Sequence, residues 1–163
     1  MNKIILRVFA TACCCFFLVS TTLAQSKKNI KKNKLKTAVV TKIENGKTIF
    51  ESKEFFDKDG NTIETIDYTK EGGIKTTHKY KFNSDGDEIE DLEYNGLNVL
   101  VEKRISKYNA IGEKIEELYY DVADKITKKH IYTYDSQGLK TERKSIDATG
   151  QITCIKKYSY SKK

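Results

Sequence analysis

Tryptophan and proline are missing from this 163-residue sequence, and cysteine nearly vanishes once the N-terminus is set aside. The first two absences do not separate one function class from another. The cysteines are more telling. Cys13, Cys14 and Cys15 lie in an apolar N-terminal stretch, which leaves Cys154 alone. A single cysteine excludes a disulfide framework within the chain and a zinc site built on cysteine. Two readings of it stay open: pairing between molecules, or packing as a small apolar side chain. Catalytic motifs are also absent, with no Gly-x-Ser-x-Gly, no His-Glu-x-x-His and no phosphate loop.

The N-terminal stretch is short for a membrane span, which needs about 20 apolar residues. Lys3 and Arg7 precede it, and Thr22-Leu23-Ala24 offers small residues at its end. This is the layout of a secretory signal peptide over residues 1–24, with cleavage after Ala24. Phe16, Phe17, Leu18 and Val19 follow the cysteines, which disfavours a lipid-modified cysteine. Residues 25–38 carry Lys27, Lys28, Lys31, Lys32, Lys34 and Lys36. A run of this kind is usually a disordered, solvated arm, and it also has the charge to touch an anionic envelope surface. With those lysines, Lys3 and Arg7 set aside, the remaining basic residues nearly balance the 23 acidic ones.

What the chain does have is a repeat of 26 residues. Phe56, Phe82, Tyr108, Tyr134 and Tyr160 form one column, and Gly60, Gly86, Gly112 and Gly138 another. A fixed period of this size signals a repeat architecture. The units are 56–81, 82–107, 108–133 and 134–159, within a domain spanning 39–163. Each opens with an aromatic residue and Asp or Asn, with Gly three residues further on, a turn signature. A second turn column holds Gly46, Gly72, Asn98, Asp124 and Gly150, all tolerant of the left-handed region. Two turns per unit leave two strands of about eight residues.

Pairing Tyr68 with Ile74 across a five-residue loop gives every unit an apolar cross-strand pair. The same register sets Glu64 opposite His78, Glu90 opposite Arg104, Glu116 opposite His130 and Glu142 opposite Lys156. Ile63, Ile66 and Tyr68 are spaced three and then two, as are their equivalents, so a β-bulge is predicted between the first two positions. The expected fold is all-β: an antiparallel β-meander of eight to ten strands built from tandem 26-residue two-strand repeats, in a twisted, curled sheet.

Tyr132-Thr-Tyr134-Asp135-Ser-Gln-Gly138, then Asp147-Ala-Thr-Gly150 and Tyr158-Ser-Tyr160, resembles the YD repeat of RHS-type bacterial proteins. The likeness covers Phe55 to Tyr160 and is close in the last unit. Units here are longer than is usual in that family, and Glu54 and Ser106 stand at its first tyrosine position. No toxin domain follows, so the shell and toxin roles do not transfer. The resemblance implies a secreted or surface β-repeat module. Tyr94-Asn95-Gly96 is also similar to MORN-like antitoxin repeats, although the export signal argues against a cytoplasmic immunity role.

Candidate sites are few. His78 and His130 share a column about 19 Å apart, too far to share a metal in a flat sheet. Asp57-x-Asp59-Gly60-Asn61 and Asn83-x-Asp85-Gly86-Asp87 resemble fragments of a calcium loop, but Gly stands in the wrong place, and turn chemistry accounts for them. The glutamate column lies at a spacing that glycoside hydrolysis tolerates, yet its recurrence in every unit marks it as scaffold. All ten tyrosines fall in the repeat region. Tyr80, Tyr108, Tyr132, Tyr134, Tyr158 and Tyr160 are the candidate ligand-binding set, with Tyr132 expected to be exposed and able to stack on sugars. Covering a thin core is the competing role for these rings.

The sequence therefore points to an exported, non-enzymatic binding module of the bacterial envelope, in the periplasm, on the outer surface or secreted. Its ligand is expected to be extended, a polysaccharide or alternatively an envelope protein or second copy met through sheet edges. No catalytic residue, metal, cofactor or nucleic-acid partner is expected, and membrane contact only through the basic arm. Protein exported by the producing cell should begin at Gln25 by intact mass; a retained leader would contradict the cleavage assignment.

Overall fold

The computed structural model describes residues 27–161, so the expected leader lies outside the described residues. Ten strands follow one short helix: α1 Lys27–Lys32, β1 Thr37–Glu44, β2 Lys47–Phe56, β3 Thr62–Tyr68, β4 Ile74–Phe82, β5 Glu88–Asn95, β6 Leu100–Tyr108, β7 Lys114–Tyr120, β8 Ile126–Tyr134, β9 Lys140–Asp147 and β10 Ile152–Lys157. They form one antiparallel sheet whose spatial order is the chain order. The sheet is open, with β1 and β10 as its edges.

The turns explain the regularity. Asp57 Oδ1 accepts the backbone N–H groups of Asp59 and Asn61 at 2.8 and 2.9 Å. Asn83, Asn95, Asn109, Asp121, Asp135 and Asp147 make the same two bonds, to the residues two and four further on. The fourth residue of each loop has positive φ. It is Gly in most loops, but Asn98 and Asp124 adopt φ of 59° and 57°, which short polar residues tolerate best among non-glycines. The β1–β2 hairpin differs. Asn45 and Gly46 both have positive φ and make a two-residue turn matched to strand twist.

The apolar pairs fall as expected: Tyr68 opposes Ile74, Tyr94 opposes Leu100, Tyr120 opposes Ile126 and Ile146 opposes Ile152. The glutamate pairing does not. Glu64 faces Lys79, Glu90 faces Ile105, Glu116 faces Ile131 and Glu142 faces Lys157. The cause is a second bulge in each unit, in which Lys75, Val101, Thr127 or Thr153 is the extra residue and moves the register by one. A bulge also lies near the anticipated place, but at the first apolar position and not between it and the next: Ile63, Ile89, Ile115 and their counterpart Thr141 are the extra residues, against the preceding strand.

Helix α1 replaces part of the arm expected to be disordered, and β1 begins at Thr37 rather than at Val39. Ile30 is the reason. It is 4% exposed and shares a hollow with Leu35, Phe56 and Ile63. The helix also sits tightly on the turns, since a Cβ on Gly60 would lie 2.5 Å from the Lys27 carbonyl oxygen. Lys31 adds an ion pair to Asp59 at 3.0 Å.

The aromatic column has a role that follows from its hydroxyls. Tyr108 donates to the Glu88 carbonyl at 2.9 Å, Tyr134 to Lys114 at 2.8 Å and Tyr160 to Lys140 at 2.9 Å. Each bond ties a unit to the start of the strand before it. Phe56 and Phe82 cannot do this, and these are the units against which α1 packs. Tyr134→Phe should therefore cost about 1–2 kcal/mol, the penalty of stranding a partly buried carbonyl. Urea unfolding measures it, and an unchanged midpoint would show that water replaces the hydroxyl at no cost.

Candidate ligand-binding face

Directly paired residues project to the same side of a sheet, so the ladder sorts the strands into two faces. One face carries Ile66, Leu92, Ile105, Leu118, Ile131 and Ile146. Lysines lie across its rings, with Lys79 Nζ 5.2 Å from the centroid of Tyr94 and Lys103 Nζ 4.8 Å from that of Tyr120. The glutamate column is here too, paired to lysines: Glu90 to Lys81 at 2.6 Å and Glu116 to Lys107 at 2.7 Å. Lysine stems shield the apolar centre while their charges reach water.

The opposite face is polar throughout β3–β9. It carries Asp67, His78, Tyr80, Asp91, Arg104, Glu117, Tyr119, His130, Tyr132 and Arg143. It is also the more enclosed. Ser52, Asp91, Ser106, Glu117, His130 and Ser145, together with Tyr119 and Tyr132, are buried there, against Thr77 and Leu118 on the apolar side. A single sheet has no second layer to shield it. Side chains on one face become buried by crowding one another, as they do when the sheet curls toward that face.

Two networks organise this surface. In the first, His78 Nδ1 lies 3.0 Å from Asp91 Oδ1, and Arg104 Nη2 lies 2.7 Å from Glu88 and 3.0 Å from Asp91 Oδ2. The Asp91 bond raises the His78 pKa against the opposing effect of burial. Burial also pushes the Tyr80 hydroxyl up to about 12. In the second, Glu117 accepts from Lys114 at 2.8 Å, from Tyr119 at 3.3 Å and from Tyr132 at short range. Burial alone would raise its pKa, but the Lys114 and Tyr132 bonds and the Arg104 charge outweigh it and hold Glu117 down at about 2. His130 lies 3.4 Å from Glu117, yet burial leads and lowers its pKa, helped by the positive charges of Arg143 and Lys128.

A cleft of about 610 Å³ opens where α1 leans over this face, walled by Lys27, Ile30, Glu54, His78, Tyr80 and Arg104. Burial and the neighbouring Asp67 raise the Glu54 pKa. The charge changes along the face, with Glu54, Asp67, Glu93 and Glu102 toward β2–β6 and Lys128, Arg143 and Lys156 on β8–β10, where Asp147 faces Lys128. Among the described residues, no group of three or more His, Cys, Asp or Glu is placed to hold a metal ion, and no helix is long and apolar enough to cross a membrane.

The sequence-predicted tyrosines divide. Tyr80 and Tyr132 lie on the polar face, but Tyr132 is 9% exposed and its hydroxyl is taken by Glu117, so the expectation of an exposed stacking ring there is corrected. Crowding by His130 and Tyr119 buries it. Tyr108, Tyr134 and Tyr160 hold the backbone through their hydroxyls, with the Tyr160 ring still 57% exposed. Tyr158 is half-buried beside Lys140. Cys154 is exposed on β10, so it does not pack as a small core residue. Sequence reading passed over Tyr119, Asp91, Glu117 and Arg143, whose columns change identity from unit to unit, and set Arg104 against Glu90 where the structure sets it against Glu88 and Asp91.

No protein-family model matches the chain, and no curated protein matches it. Among solved structures, a Bacteroides fragilis protein of unknown function is similar at 14% identity, with a TM-score of 0.41, over 78% of this chain and 96% of that one.

The two histidines should titrate apart. His78, with its pKa raised, contributes stability that is fully present below the unfolded value of about 6.5 and is lost as pH rises through the folded value. His130, with its pKa lowered, contributes stability that is present above about 6.5 and is lost as pH falls through the folded value. NMR titration of the two imidazole Cε1–H signals would show His78 above and His130 below a free histidine. Coincident curves would refute the two-network description.

Proposed function

We propose that this chain is an exported, non-enzymatic binding module of the bacterial cell envelope whose polar sheet face receives an extended ligand, a polysaccharide. One observation carries the reading. The more enclosed face of the sheet is lined by hydrogen-bonding side chains and tyrosines, where a structural core would place apolar ones. Buried polar groups cost stability unless they are satisfied, and here they are held in networks that fix donors and acceptors in place. Such pre-ordering lowers the entropic cost of capturing a ligand. From β2 to β10 the face runs about 38 Å, at about 4.8 Å per strand, which suits a chain-like ligand better than a small one. Asp91 is held by His78 and Arg104, and Glu117 by Lys114 and Tyr132, an arrangement for positioning more than for proton transfer.

A second reading has its own support. All six residues of β10 are exposed, Ile152 at 50% and Ile155 at 48%. An open strand of this kind can pair with another chain, although Lys156 and Lys157 oppose indiscriminate pairing. A protein partner or second copy at this edge is therefore the alternative.

Residues 27–163, immobilised and exposed to envelope extract of the producing cell, should retain carbohydrate that survives protease treatment. Tyr158→Ala should weaken that retention about three- to tenfold, the scale of an aromatic contact, with an unchanged melting temperature. Retention of a discrete protein alone, lost on protease treatment, would replace the glycan reading with the edge-strand one.

A further inference from the structure

The last unit breaks the charge logic of those before it. In the middle units the facing positions on the polar face hold Asp91 opposite Arg104 and Glu117 opposite His130. In the last unit the same positions hold Arg143 opposite Lys156. Like charges set directly across a ladder are destabilising. Glu93 and Glu102 also oppose one another, but their negative charge is answered by the neighbouring His78, whose pKa Glu93 helps to raise. Nothing of that kind answers Arg143. Among the described residues it has no ion-pair partner, and its Nε is buried without a hydrogen-bond acceptor. Arg104 also leaves its Nε unbonded, yet two carboxylates hold its other end.

The surroundings of Arg143 are cationic and aromatic. Tyr132 is its cross-strand neighbour on β8, and Lys156 its neighbour on β10. Lys140 Nζ lies 4.5 Å from the centroid of Tyr132 and 5.7 Å from that of Tyr158, while Lys128 Nζ sits 3.7 Å from that of Tyr119. The positive charges of Arg143 and Lys128 reach as far as His130. A planar guanidinium that no carboxylate holds, a flanking ammonium and a half-buried ring is the equipment for an oxyanion carried on a ring-shaped ligand.

We infer that Arg143 and Lys156, flanked by Tyr158, form an anion-binding subsite at the β8–β10 end of the polar face, and that the ligand is a polyanionic glycan bearing carboxylate, sulfate or phosphate groups. This rests on the polysaccharide reading above and narrows it. The anion supplies the countercharge that Asp91 and Glu117 supply in the middle units. The acidic β2–β6 end of the same face repels such a ligand, so binding is polar in direction, with the charged segment of the glycan over the last unit.

The test is binding of the mature chain to polygalacturonate and to the same polymer fully methyl-esterified, at low salt, by calorimetry. Wild type should prefer the acid form by about ten- to hundredfold, the scale of a charge-assisted contact. Arg143→Gln should lower acid-form affinity to that of the ester. Lys31→Gln with Lys32→Gln, which removes helix charge away from the site, should leave the preference intact and so exclude a general polycation effect. Because Arg143→Gln removes a like-charge opposition, it should melt no lower than wild type without ligand, which separates lost binding from lost fold. Equal binding of both polymers by wild type would leave the glycan reading standing and overturn the anion subsite, as would an undiminished preference in Arg143→Gln. If neither polymer binds, sodium sulfate decides. Sulfate raises melting temperatures generally, so the difference decides: a rise larger in wild type than in Arg143→Gln would keep the anion subsite, and an equal rise in both would overturn it.

Discussion

Most of this sheet hangs on a five-residue turn in which one Asp or Asn carboxyl or amide oxygen accepts two backbone N–H groups; the β1–β2 hairpin and the β3–β4 loop at Thr69 close without it. The bond pair fixes where each loop starts, and the positive-φ residue three positions later fixes how tightly it closes. Together they set the strand register, and the register decides which side chains share a face. The bulges come in pairs, one at each strand boundary of a unit, and so the same polar columns return to the same side after 26 residues. A turn that closed one residue differently would send Asp91 and Glu117 to the lysine-covered side and bring Leu92 and Leu118 into the enclosed one.

Energetically the sheet is unusual in having its apolar stripe on the more open side. Lysine stems over Tyr94 and Tyr120 do the covering that a second layer does in larger domains. The enclosed side is stabilised mainly through paired polar contacts instead, the Nε atoms of Arg104 and Arg143 aside, and Glu117 shows the balance. Its low pKa means that hydrogen bonds and positive charge exceed its desolvation. Its stabilising contribution is present above the ordinary carboxylate pKa and is lost as pH falls through about 2.

The fold was legible in the sequence because turn geometry demands special residues, and those residues recur at a fixed interval. Gly60, Gly86, Gly112 and Gly138 announce themselves for that reason. The columns of the polar face do not. Thr65, Asp91, Glu117 and Arg143 occupy equivalent positions with a hydroxyl, two carboxylates and a guanidinium, so a search for sameness passes over them. The cross-strand partners were misread because the second bulge adds a residue, such as Lys75 or Val101, that has no compositional mark. Helix α1 escaped notice because a single apolar residue, Ile30, anchors it, amid lysines that read as a solvated arm. Its seat on Gly60 is set by a contact distant in sequence.

Strand order that equals chain order has a mechanical consequence. The two ends of the domain leave from opposite edges of the sheet, and each strand is hydrogen-bonded only to those before and after it. Tension applied between the ends loads the bonds of an edge strand one after another, not a whole ladder in shear. Under load the sheet would peel by hairpins, in steps of one 26-residue unit or less, and the remaining units would keep their turns and their faces. A chain of this kind held at both ends would in this way lengthen gradually and re-form from whichever units stayed folded.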